Sequence, residues 1–99
     1  MLKHVIMWQL KDELSENEKE VVKKEIKAGL EALNGKVEGL ERVEVIIHGM
    51  DSSSADVLLI TTIEESALEA YSSYPDHKKV AVEKIRPYVQ SKLVMDYMI

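Results

Sequence analysis

A phenol and an imidazole flank a helix break in Tyr71-Ser72-Ser73-Tyr74-Pro75-Asp76-His77, and a second imidazole, His4, lies in the first apolar stretch of the chain. A neutral imidazole beside a pocket can take a proton from carbon or oxygen, help worth about 10²–10⁴ in rate. A buried phenol can donate to the enolate oxygen that develops. Both groups must then face inward. Pro75 disfavours helix at Tyr74 and suits the first turn of a new helix. In that helix His77 shares a face with Val80, Ala81 and Ile85, at offsets of three, four and eight, and should look toward a sheet. The positive end of the helix disfavours an imidazolium in the first turn, which keeps the ring neutral near neutral pH. Tyr71 shares a face with Leu68 in the preceding helix, so its ring should be buried and its hydroxyl needs a partner, for which His77 is a candidate. The same pair also fits a core tyrosine and a histidine that only secures the break.

His4 lies on a strand face with Ile6 and Trp8, either as a pocket group or as a core histidine paired with a backbone or carboxylate group. Asp56 begins a later strand and could orient His4 or Tyr71, or face water. The candidate site is therefore His77 as base, Tyr71 as donor and His4 as positioning group, with Trp8, Ile6 and Asp56 as further pocket residues.

Four strands and a broken helix must position these groups. Residues 2–11 carry Leu2, His4, Ile6, Trp8 and Leu10 on one face and Val5 and Met7 on the other, a strand with little solvent contact. Ser15 and Glu18 form a capping box ahead of a helix whose stripe is Val22, Ile26, Leu30 and Leu33, and Asn34-Gly35 stops it. Strands follow near 41–48 and 56–63. A second capping box, Ser66 with Glu69, starts a helix ending near Tyr74, and the helix opened by Pro75 runs to Pro87. A last strand, near 91–98, alternates Leu93, Met95 and Tyr97 against Val94, Asp96 and Met98. The order predicts an α+β ferredoxin-like βαββαβ fold, a four-stranded antiparallel sheet with helices on one face. The strands are apolar on both sides, so the bare face calls for a cover, most economically a second copy of the chain. No repeat, linker or low-complexity segment divides residues 1–99, which points to one domain.

Composition excludes several classes. With 13 basic against 18 acidic residues and a net charge of −5, and with Lys23, Lys24 and Lys27 set among glutamates, no nucleic-acid surface is expected. No stretch approaches the roughly 20 apolar residues of a membrane span and no charged-then-apolar leader opens the chain, so the expectation is a cytosolic protein without membrane contact. There are no cysteines. His4, His48 and His77 with Asp56 and Asp96 match no ligand spacing, so neither a metal site nor another cofactor is expected. The five methionines suit packing at a sheet seam.

The opening Leu2-Lys3-His4-Val5-Ile6-Met7-Trp8-Gln9-Leu10-Lys11-Asp12-Glu13, the Ser-initiated acidic helix, Tyr74-Pro75-Asp76-His77 and Val94-Met95-Asp96-Tyr97 together resemble the stress-responsive dimeric α/β barrel (Dabb) family, over essentially the whole chain. The resemblance implies a homodimer whose two sheets close into a barrel, and an association with stress response. The family includes a plant olivetolic acid cyclase, whose tyrosine–histidine pair matches Tyr71 and His77 and whose first-strand histidine matches His4, while a further pocket histidine of that enzyme falls at Asp56. Three functional expectations follow. One is a stress-associated dimer binding a small apolar or aromatic molecule between sheet and helices. The second is a cofactor-free, cyclase-like enzyme with His77 as base, and the third a purely structural dimer.

Overall fold

The computed structural model describes residues 1–99. Strand β1 (Leu2–Leu10) leads through α1 (Glu16–Glu31) to β2 (Leu40–Ile46) and β3 (Val57–Ile63). A 3-10 turn (Glu65–Ala67), α2 (Leu68–Ser73), α3 (Pro75–Val80) and a π-helical turn (Ala81–Ile85) precede β4 (Val89–Met98). The sheet order is β2-β3-β1-β4 with every neighbour antiparallel, the ferredoxin-like arrangement. No helix is long and apolar enough to cross a membrane.

The register fixes what shares the helix side of the sheet. His4 stands between Thr61 and Asp96, Ile6 between Leu59 and Val94, and Trp8 between Val57 and Lys92. Against this layer α1 lays Val22, Ile26 and Leu30, all buried. The Ser15 capping box forms as its spacing predicts: Ser15 Oγ accepts from Glu18 N at 3.1 Å and Glu18 Oε1 accepts from Ser15 N at 2.9 Å. The helix ends three residues before Asn34, whose Nδ2 donates to the last helical carbonyl, Glu31 O, at 3.0 Å. The Asn34 side chain also accepts from Val43 N and donates to Val43 O, and Glu31 Oε2 accepts from Val45 N. These side chains cover the outer edge of β2, which would otherwise offer free backbone groups.

Two local expectations fail. The Ser66–Glu69 capping box does not form: the chain leaves β3 through the 3-10 turn, and α2 starts at Leu68 with no side-chain cap. Glu64 N donates to Gly39 O at 2.9 Å, and Ala67 packs so closely that a Cβ on Gly39 would lie 2.7 Å from its own. That tertiary contact overrides the local motif. Gly39 also has φ +86°, so Gly39→Ala is expected to lose about 2–4 kcal/mol from the left-handed backbone and the clash combined, seen as a lower urea midpoint at unchanged m. The helix opened by Pro75 is not one α-helix either, since Arg86 N bonds Ala81 O in a π-type turn.

The opposite face of the sheet has no helix over it. Lys3, Val5 and Met7 pair across it with Thr62, Ile60 and Leu58, and Leu93, Met95 and Tyr97 extend it along β4. Met95 is 68% and Leu93 70% exposed, the degree expected of a strand that carries apolar side chains for a surface its own chain does not cover.

Candidate active site: two imidazoles over the sheet

The site lies between the helix side of β1 and the segment from α2 to the π-helical turn. Tyr74, with φ −59° and ψ 129°, breaks the helix where proline demands it, and α3 starts again at Pro75. The break turns the end of α2 toward the start of α3. Tyr71 and His77 meet there edge to face, with ring centroids 4.6 Å apart.

They do not hydrogen-bond. The Tyr71 hydroxyl and His77 Nδ1 are both buried without a partner, so the expected phenol–imidazole bond is corrected to a packing contact. The polar neighbour of the Tyr71 hydroxyl is Thr61, yet the two hydroxyls do not meet at hydrogen-bonding geometry. Burial raises the Tyr71 pKa, with Thr61 acting weakly the other way. At 1% exposure Tyr71 packs against the His77 ring and does not line the cavity that His77 reaches.

His77 itself reaches a cavity of about 190 Å³. His4, Ile6 and Trp8 of β1 form the floor with Leu59, and Ser72, Ala81 and Ile85 stand on the helical side. Burial lowers the His77 pKa first, and the nearby charge of His4 adds to it, while the Ser72 backbone opposes them. The imidazole is therefore neutral near pH 7, with burial as the leading cause where the helix end had been expected to be.

His4 is held by a residue the sequence did not single out for it. Asp96, its cross-strand neighbour on β4, places Oδ1 2.5 Å from His4 Nδ1. Asp96 Oδ1 accepts a hydrogen bond from His4 Nδ1–H, which leaves Nε2 as the free lone pair. Asp56 does neither job assigned to it: its Oδ2 accepts from Leu10 N at 2.8 Å, and it borders a hollow on the open face with Met7 and Ile46. The strand-end position puts it past Trp8, beyond reach of His4. His48 pairs with Glu20 at 3.0 Å, and no group of three or more His, Asp or Glu side chains could hold a metal ion.

Arg86 and Lys92 also line the cavity and were not anticipated. Five positions along an α-helix point to nearly the opposite side. The wider π turn brings Arg86 back over Ala81, so both face the same space. Only the register, which sets Lys92 opposite Trp8, brings the lysine in.

Known structures share this architecture. A dimeric protein of unknown function and ferredoxin-like fold from Bacteroides fragilis superposes with a TM-score of 0.90 at 23% identity, covering 99% of this chain and 95% of that one. A dimeric ferredoxin-like protein of unknown function from Thermobifida fusca gives 0.81 at 15% identity over 99% and 90% of the two chains. The hydroxynitrile lyase of Passiflora edulis gives 0.74 at 16% identity over 99% and 92%. No curated protein matches the sequence significantly. The model of the stress responsive A/B barrel domain family, Dabb, matches residues 2–99, and with a match of that extent the chain belongs to the Dabb family.

Proposed function

We propose that the protein is a single-domain, cytosolic, stress-response-associated homodimer that binds a small, mostly apolar carbonyl compound between sheet and helices, with His77 drawing a proton from it. The observation that carries this reading is a partly enclosed cavity holding two imidazoles, one neutral through burial and the other oriented by a carboxylate. Cavities of about 150 Å³ take a benzene, so the volume suits a single ring or a short chain.

In the step proposed, the His77 lone pair takes a proton from the carbon beside a carbonyl. The C–H electron pair becomes the enolate double bond, and the carbonyl oxygen takes the charge until the proton returns. The fold carries an enzyme in at least one case, the Passiflora hydroxynitrile lyase, which supports the catalytic reading over a purely structural dimer. The apolar open face, and the description of the Bacteroides and Thermobifida proteins as dimeric, support the homodimer.

The test is α-proton exchange in D₂O, followed by NMR, on acetophenone, phenylacetone and cyclohexanone. Emission of the sole tryptophan, Trp8, reports occupancy of the cavity whose wall it forms. Exchange above the buffer rate, together with a Trp8 response, is the expected result. Trp8 responses without exchange would leave a binding protein and remove the chemistry, and a silent Trp8 throughout would remove both.

A further inference from the structure

Arg86 and Lys92 form the threshold of the cavity. With Trp8 and Ile85 they line both the inner chamber that holds His4 and His77 and an outer groove of about 300 Å³ that continues over Val89, Gln90 and Ser91. Neither cation belongs to any ion pair of the chain. No aspartate or glutamate lines either space, in a protein with 18 acidic residues and a net charge of −5. Asp96, behind His4, is committed to that imidazole.

An acidic protein that keeps two cations outside its ion pairs at the mouth of a cavity lined by two imidazoles has shaped a local positive potential against its own overall field. Taking the cavity as a ligand site, we propose that its ligand is an organic anion, a carboxylate with an apolar body. The carboxylate sits at the Arg86–Lys92 threshold and the body passes Trp8 toward His77. The guanidinium fork suits two carboxylate oxygens, and the lysine adds a point charge from the other side of the mouth. The distance from threshold to imidazole selects the length of the body. A molecule too short to span it would bind without reaching His77.

Matched pairs that differ only in charge test the inference: phenylacetate against phenylacetamide, and hexanoate against hexanamide, titrated by Trp8 fluorescence at low and high salt. Each carboxylate is expected to bind at least about tenfold more tightly than its amide at low salt, with the gap narrowing as salt screens it. In the Arg86→Gln/Lys92→Gln variant the carboxylate should fall to the affinity of the amide, while amide binding stays put. Equal affinity of acid and amide in the wild type would overturn the anion inference and leave the cavity reading standing. The same holds if the double variant still discriminates, because the charge would then be recognised elsewhere. If neither member of any pair perturbs Trp8, the cavity reading fails and this inference fails with it.

Discussion

His77→Gln is expected to remove about 10²–10⁴ of any α-proton exchange the protein catalyses while the fold survives at neutral pH. Glutamine keeps a polar side chain at the half-buried position but supplies no basic lone pair. The Tyr71 ring still has a planar group to pack against, so loss of activity without loss of the melting transition separates chemistry from structure. In the wild type the pH profile should rise from acid to a plateau already reached by neutrality. Its midpoint should lie below the usual imidazole value of about 6.5, because burial and the His4 charge both favour the neutral ring. The same displacement predicts a stability effect of known sign. Between the lowered folded value and about 6.5 the unfolded chain binds the proton that the folded chain refuses, so the His77 contribution is intact above about 6.5 and is lost as pH falls through that window. His77→Gln should flatten that part of the Tm profile relative to wild type. A variant that exchanges protons at the wild-type rate removes His77 as the base.

How much of this was legible in the sequence depends on the range of the interactions involved. The first capping box and the break at Tyr74 are local, and the structure has them; of the face expected for His77, Ala81 and Ile85 share its cavity while Val80 packs against Gly29 instead. The alternation on β1 also showed that both sides of the sheet are apolar. What stayed hidden is non-local. His4 and Asp96 are 92 positions apart, and only the β1–β4 register makes them partners. Lys92 enters the site by the same register, and Arg86 by a π turn that helical periodicity cannot show. Asp56 was assigned by its position at the start of a strand, and the sheet put that start at the far end of β1 from His4. At Ser66 a sound local motif lost to the close approach of Ala67 and Gly39.

The second large effect concerns β4. Its Leu93, Met95 and Tyr97 face the bare side of the sheet, and even on the helix side Val94 is 48% and Met98 57% exposed. The other edge strand, β2, has its outer backbone groups taken up by Asn34 and Glu31, whereas no side-chain hydrogen bond covers the outer backbone edge of β4. A strand left bare on two faces and one edge is where a second copy of the chain has most to cover. If the proposed homodimer forms through this face, Leu93→Asp/Met95→Asp is expected to convert it into a monomer and to weaken association at least about 100-fold, since each carboxylate would be desolvated without a partner. Both substituted side chains point away from the cavity. Yet Asp96 lies on the same strand between Met95 and Tyr97 and holds His4, so a β4 that loses its cover should loosen that pair, and α-proton exchange should fall along with association. Exchange unchanged in a clean monomer would uncouple the site from assembly. A wild-type chain that sediments as a stable monomer at micromolar concentration would leave the apolar open face unexplained and overturn the homodimer.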